Sequence, residues 1–345
     1  MSASVPWPDP ARQAAFEHWI APIARARGLR LDTLQPASAD ASFRRYLRVS
    51  SADASFIVMD APPPHEDVRP FVHVDALIRG AGLNAPEVLE CDAQQGFLLL
   101  GDLGTSLYLD RLREASAAQA DRLMRDAVQA LVRFQQGVDA QTLPPYDAAL
   151  LQRELDLFPD WCVAREFNIG WTGAQRQQWQ RLCTLLIDSA LAQPTVAVHR
   201  DYMPRNLMVA EPNPGILDFQ DAVRGPITYD IASLLRDAFL SWDEEREIDW
   251  AVRYWEQARR AGLPVGDDFG EFWRQLEWMG LQRHLKVLGI FCRLKHRDGK
   301  PRYAEDLPRF FAYATKTALR YVQLQPLLPL IEPMSGSAVQ AGYTF

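Results

Sequence analysis

The hydrophobic pattern of this chain changes period once, and that change limits the folds open to it. Over the first hundred residues the apolar positions alternate in short runs, SFRRYLRVS at 42–50 and SFIVMD at 55–60, as half-buried strands do. The SSAD segment before SFIVMD supplies a turn, and PEVLECD and GFLLLGDLG read as a further strand pair joined by Ala93–Gly96. From about residue 105 the spacing becomes helical, predicting helices over 117–138, 149–165, 174–192, 243–261, 268–296 and 306–323. Two short β-rich pieces interrupt it, 195–198 with 207–209, and 215–219. Two earlier helices are predicted, 9–28 and 70–80. In the first, Asp9 caps, Pro10 takes the first helical position and Gly28 stops the helix.

Such a chain is α+β, with a small sheet lobe and a large helical lobe. The two glycines of GDLG at 101–104 mark the hinge. The expected division is an N-terminal lobe at 1–103, mostly β with an N-terminal helix, a helical C-terminal lobe at 104–325, and a tail at 326–345. The tail is rich in proline and small residues and is expected to pack loosely. A cleft between two lobes is a favoured place for a small ligand.

Composition narrows the function. A formal net charge of −7 argues against a nucleic-acid or anionic-membrane partner. No apolar run reaches transmembrane length, and MSASVPWPDPARQ lacks the basic and apolar regions of a signal peptide. The four cysteines, at 91, 162, 183 and 292, show no CxxC pair and read as reduced thiols of a cytoplasmic protein. Nothing reads as a protein-partner motif.

One constellation carries chemistry. His199-Arg200-Asp201, then Asn206, matches the catalytic-loop pattern H-R-D-x-x-x-x-N, and Asp218-Phe219 follows twelve residues after Asn206. An alcohol attacking a γ-phosphate needs a carboxylate near its proton, which Asp201 supplies. Magnesium takes hard oxygen ligands, which Asn206 and Asp218 supply. Either motif alone is read more simply as a turn or a cap; in this order, each beside a short apolar strand, they predict phosphoryl transfer. His199 is expected to bond backbone near the loop rather than to act as the base. Only eleven residues separate Asp218 from Asp230, Gln220 stands where D-F-G has its glycine, and no A-P-E segment follows. That leaves little room for a peptide platform, so a small acceptor is expected.

HRDYMPRNLMV followed by GILDFQDAVRGPITYDIASLLRD resembles the aminoglycoside phosphotransferase and choline kinase family. The resemblance implies a protein-kinase-like two-lobed fold, with a small antiparallel-sheet N-lobe and a large helical C-lobe, and transfer from ATP with Mg2+ to a small-molecule hydroxyl. SFRRYLRV, FIVMDAPP, GFLLLGDLG and QRHLKVLGIFCRLKHRDGKPRY extend the similarity, over about 10–323, to bacterial cell-wall amino-sugar kinases. Those enzymes phosphorylate the anomeric hydroxyl of N-acetylmuramate and N-acetylglucosamine in peptidoglycan recycling. The alternatives are an aminoglycoside, choline or homoserine kinase, or an inactive nucleotide-binding protein.

By the same resemblance Asp201 is the base, Asn206 and Asp218 hold the metal, and Asp230 braces the catalytic loop. Read from the residues alone, Asp230 is a helix N-cap for IASLLRD, the role favoured for it. The adenine is expected against the segment ending Leu100, Gly101, Asp102, Leu103. Two features depart from the family. Met59, with Asp60 beside it, stands where a third-strand lysine holds phosphates, and the loop SADASF at 38–43 lacks glycine. Arg44 or Arg45, or Arg48 further along the strand, replaces that lysine on one reading, since guanidinium suits phosphate. On the other they are basic residues guarding an edge strand. Alternation puts Arg44 and Arg48 on one face and Arg45 on the other. An acceptor carboxylate would be met by Arg205, or by the basic residues from Arg283 to Arg297, most of which are expected on a solvated face.

Overall fold

The computed structural model describes residues 5–7, 9–38, 43–63 and 65–335. Residues 39–42 of the glycine-free loop and 336–345 of the tail therefore lie outside the described residues. The chain divides into two compact units, 1–110 with 205–221, and 111–204 with 222–345.

The first unit is built on a five-stranded antiparallel sheet of order β1-β2-β3-β5-β4, formed by β1 (Arg30–Ser38), β2 (Arg45–Ser50), β3 (Ser55–Asp60), β4 (Val88–Asp92) and β5 (Phe97–Gly101). The alternation of β2 and β3 is that of an antiparallel pair in unbroken register, Arg45 opposite Asp60 through Ser50 opposite Ser55. β1 was not expected. Its RLDTLQPAS carries Asp32 and Pro36 and shows no clean alternation, which an irregular edge strand tolerates. Helix α1 (Pro10–Arg27) covers one sheet face: Phe16, Ile20 and Ala24 pack with Leu47, Val49, Val58, Phe97 and Leu99. Its ends follow the expected rules. The Asp9 carboxylate accepts from the Arg12 N–H at 2.7 Å, and Gly28 turns left-handed at φ 65°. Helix α2 (Arg69–Gly80) follows the proline-rich loop.

The second unit is helical. α3 (Tyr108–Glu114) leads into it, followed by α4 (Ala117–Gly137), α5 (Ala148–Leu157), α6 (Gly173–Leu191), α7 (Tyr229–Leu235), α8 (Glu244–Arg260), α9 (Phe269–His296), α10 (Leu307–Arg320) and α11 (Leu328–Ser335). The periodicity over 149–165 predicts one helix, but Pro159 lacks the N–H that an α-helix needs there, and Phe158–Glu166 widens into a π-helix. α9 is the central helix, and seventeen of its residues are buried, including Arg283, His284 and Lys286. These three thus leave the solvated face expected of them, because α9 is wrapped by neighbours all round. Gly289 lets α5 approach: a Cβ there would stand 2.4 Å from the Leu157 carbonyl carbon. In the former tail, Leu330, Ile331 and Met334 of α11 are buried.

Short strands finish the frame. β6 (Thr195–Val198) pairs with β9 (Val223–Pro226) in the second unit, and β7 (Leu207–Met208) pairs with β8 (Gly215–Ile216) in the first. No helix among the described residues is long and apolar enough to cross a membrane.

Candidate active site

In the first unit, the β7–β8 ladder brings Asn206 and Asp218 together. Leu207 lies opposite Ile216, so Asn206 and Leu217 are the next pair outward, and the Leu217 N–H donates to the Asn206 carbonyl at 2.9 Å. Asn206 Nδ2 then donates to Asp218 Oδ2 at 3.3 Å. Asp218 sits at φ 62°, a left-handed conformation rare for a residue with a side chain. Phe219 beside it is fully buried and packs on Phe71 of α2, ring centroids 4.7 Å apart, which anchors the strained turn. Gln220 Nε2 donates to Asp218 Oδ1 at 2.9 Å, while Gln220 Oε1 is buried with no hydrogen-bond partner among the described residues. Sequence reasoning noted Gln220 only as a missing glycine. This set of amide and carboxylate oxygens fits a hard divalent cation, which takes few protein ligands and keeps its remaining positions for water and phosphate oxygens.

The residues expected on the adenine side, Leu100 to Leu103, lie at the end of β5 and just beyond it. Leu100 is buried, Gly101 N–H donates to the Glu87 carbonyl at 2.8 Å, and Leu103 reaches Gly215. The Asp102 carboxylate is engaged within the unit: Arg48 Nε donates to its Oδ2 at 2.6 Å and the Ser55 hydroxyl at 2.7 Å. Burial acts to raise the Asp102 pKa, but the hydrogen bonds from Arg48 and Ser55 hold it below the usual carboxylate range.

The arginines divide as alternation requires. Arg45 lies on the α1 face, where it pairs with Asp60 and covers the Trp7 ring at 4.4 Å. Arg12 of α1 meets the same carboxylate, Nε to Oδ1 at 2.9 Å. The buried Asp60 thus takes two guanidiniums. Arg44 and Arg48 lie on the opposite face, Arg44 facing Glu66 at 3.5 Å.

In the second unit, the catalytic loop leaves β6 and is held from beneath. Asp230 Oδ2 accepts the His199 N–H at 2.7 Å and Oδ1 the Arg200 N–H at 3.0 Å. Asp230 is therefore not an N-cap: α7 begins at Tyr229, Asp230 lies inside its first turn, and its carboxylate points to the loop. Burial pushes the Asp230 carboxyl up to about 7 against the pull of those two N–H groups. His199 Nδ1 accepts the Asp201 N–H at 3.3 Å, the backbone role expected of it. The Tyr202 hydroxyl donates to the Ala127 carbonyl on α4 at 2.8 Å. The loop is thus fixed on both flanks of Asp201. Arg200, at φ 74°, carries strain beside it. Arg205 lies in the 3₁₀ turn Pro204–Asn206. Arg283, buried on α9, donates from Nη2 to Met203 Sδ at 3.6 Å.

A five-stranded antiparallel sheet, a helical unit, an H-R-D loop braced by a buried aspartate and an Asn–Asp oxygen pair define a protein of the kinase-like phosphotransferase class. The pattern of the phosphotransferase enzyme family matches residues 33–269, and the chain belongs to that family. It is 54% identical over 306 residues to an N-acetylmuramate/N-acetylglucosamine kinase of Pseudomonas putida, covering 89% of each chain. Among solved structures it is similar to a choline/ethanolamine kinase family protein from Mesorhizobium loti, TM-score 0.62 at 13% identity, over 96% of this chain and 99% of that one. It is similar also to an ADP-bound aminoglycoside phosphotransferase, TM-score 0.59 at 11% identity, over 88% of this chain and 96% of that one.

Proposed function

We propose that this phosphotransferase transfers the γ-phosphoryl group of ATP to the anomeric hydroxyl of N-acetylmuramate and N-acetylglucosamine, in the cytoplasm, as a step of peptidoglycan recycling. The kind of acceptor comes from the 54% identity with the Pseudomonas putida kinase. The observation that carries the chemistry is the pairing of Asn206 and Asp218, Nδ2 donating to Oδ2 at 3.3 Å, in a chain whose Asp201 loop is braced by Asp230.

In this reading Asp201 accepts the proton of the sugar C1 hydroxyl and orients its oxygen towards phosphorus. Asn206 and Asp218 hold Mg2+, which when bound neutralises the charge of the phosphates. Gln220 steadies Asp218 through their hydrogen bond. Catalysis then consists of positioning and charge stabilisation, as phosphoryl transfer requires. Leu100, Gly101, Asp102 and Leu103 form the adenine-side segment. Of the arginines considered for the phosphates, Arg44 is favoured because it shares a face with Met59, whereas Arg45 lies on the α1 face with Asp60; Arg44 meets Glu66 at 3.5 Å and Arg48 meets Asp102 at 2.6 Å. Arg205 meets the lactyl carboxylate that distinguishes N-acetylmuramate.

ADP release with ATP and magnesium tests this, run against both sugars, glucosamine, an aminoglycoside, choline and homoserine, with the product read by phosphorus NMR. The expected product is a sugar 1-phosphate. Asp201→Asn should lower kcat by roughly 10²–10⁴-fold, the usual worth of a positioned base. Transfer only to another alcohol would keep the phosphotransfer chemistry and overturn the acceptor.

A further inference from the structure

Arg200 has no part in the chemistry proposed so far, yet its surroundings are built for it. Its φ of 74° is disfavoured for any residue with a Cβ, so something must hold it there. One anchor is the Asp230 carboxylate on its N–H. The other is Glu154, which comes from α5, 46 residues earlier in the chain, and takes Arg200 Nη2 on Oε1 at 2.7 Å. The same oxygen takes Lys286 Nζ of α9 at 2.8 Å. Glu154 Oε2 accepts Gln282 Nε2 at 3.2 Å and the Tyr146 hydroxyl, and Lys286 donates also to the Tyr229 hydroxyl at 3.1 Å. Glu154 and Lys286 are buried. One carboxylate therefore serves two cations, and both of its oxygens are fully used. Neither α5 nor α9 carries a motif that reveals this from sequence.

The charge balance has a consequence for the next residue along. The Lys286 ammonium is close enough to Asp201 to feel its charge. While Glu154 is ionised it takes both Arg200 and Lys286. Without that anion, buried Lys286 and half-buried Arg200 lose the carboxylate they share, and Asp201 becomes the carboxylate that attracts Lys286. Other kinases order their loops with arginines that pair with an added phosphate; here the anion is resident.

We propose that Glu154, acting through Arg200, is a positioning residue for Asp201: a permanent buried counter-anion that keeps the catalytic loop in its working conformation without a switch. The proposal rests on the reading of Asp201 as the base. Glu154→Gln is the first test. It should lower kcat on the order of 10²-fold, as loss of positioning does, and change the KM for ATP by less than about threefold. Glu154→Gln combined with Lys286→Met restores the charge balance and should recover at least about tenfold of that loss. Arg200→Met leaves Glu154 and Lys286 as a neutral pair; it is the decisive variant if Glu154→Gln does not fold, and should lower kcat similarly. Folding is followed by circular dichroism and thermal melting. An unchanged kcat in folded Glu154→Gln or in Arg200→Met overturns the proposal, as does a double variant no better than the single one. Absence of transfer to either sugar by the unaltered chain would instead overturn the function proposed for it.

Discussion

Asp230 illustrates how a single residue can be placed correctly in sequence and still be misread. Its position before an apolar helical run favours a cap, but the cap position belongs to Thr228, and the carboxylate instead takes the N–H groups of His199 and Arg200, thirty or so residues away. A cap is a local bond and leaves a local signature; a brace is a long-range bond and leaves none. Asp201, Asn206 and Asp218 were legible because their spacing is itself the signal. Gln220 and Glu154 were not, because each touches the proposed site only through a hydrogen bond to another residue, Asp218 and Arg200. At this scale the expectation for Asp218→Asn is a loss of metal affinity, since a carboxylate binds a hard cation better than an amide does. Titrating activity against Mg2+ should show the half-saturating concentration rising by at least about tenfold, in the range known for losses at metal sites. An unchanged magnesium requirement would remove Asp218 from the ligand set.

At the scale of elements, period and punctuation predicted most helices and the central strands, because those signals are local. They failed at β1, whose alternation is broken, and over Phe158–Glu166, where proline redirects a helix without ending it. The depth of α9 was also hidden. Its many polar residues suggest a solvated face, but Glu154 neutralises Lys286, and a Glu277 carboxylate joins Arg236 and Arg320 at 2.8 and 2.6 Å. Gly289 marks the contact of α9 with α5. Gly289→Ala improves helix propensity by about 1 kcal/mol, yet its methyl would meet Leu157 atoms at 2.4–2.5 Å. Overpacking of this kind costs about 1–3 kcal/mol. Urea denaturation should therefore show net destabilisation, and a more stable variant would mean that the α5–α9 contact has room to relax.

At the scale of the whole molecule, stability depends on buried charges that only long-range pairing makes tolerable. Arg236, with Glu277 on one side and Glu247 at 3.3 Å on the other, is nearly inaccessible to water. Arg236→Met would strand the Glu247 carboxylate, while Glu277 keeps Arg320 and the Tyr321 hydroxyl, and should cost about 3–5 kcal/mol by denaturant titration. Glu154 makes a pH-dependent contribution. Burial acts to raise its pKa, but Lys286 and Arg200 hold it down to about 2, against an ordinary value of 4.5. A depressed carboxyl stabilises the fold fully above its unfolded pKa. That contribution, about 3 kcal/mol, is lost as pH falls from near 4.5 through about 2. Stability measured at pH 5 and again at pH 3 should accordingly drop less in Glu154→Gln than in the unaltered chain; equal drops would show that the titration lies elsewhere. MgATP should raise the melting temperature by mass action, and by more than ATP alone.

The sequence by itself determined the order of sheet and helices, the H-R-D loop proposed to carry the base, and the closeness of Asn206 to Asp218. Each depends on period or on a spacing of a dozen residues or fewer, and short-range geometry is written into neighbouring residues. Tertiary structure alone decided that Asp60 takes Arg12 and Arg45 and that Glu154 sits under Arg200, and for Asp230 it chose the brace that the family resemblance implied over the cap that its local sequence favoured. Those bonds join residues 15 to 48 positions apart. They form because burial makes an unpaired charge too costly to leave, and which partner answers that cost is settled only when the chain has packed.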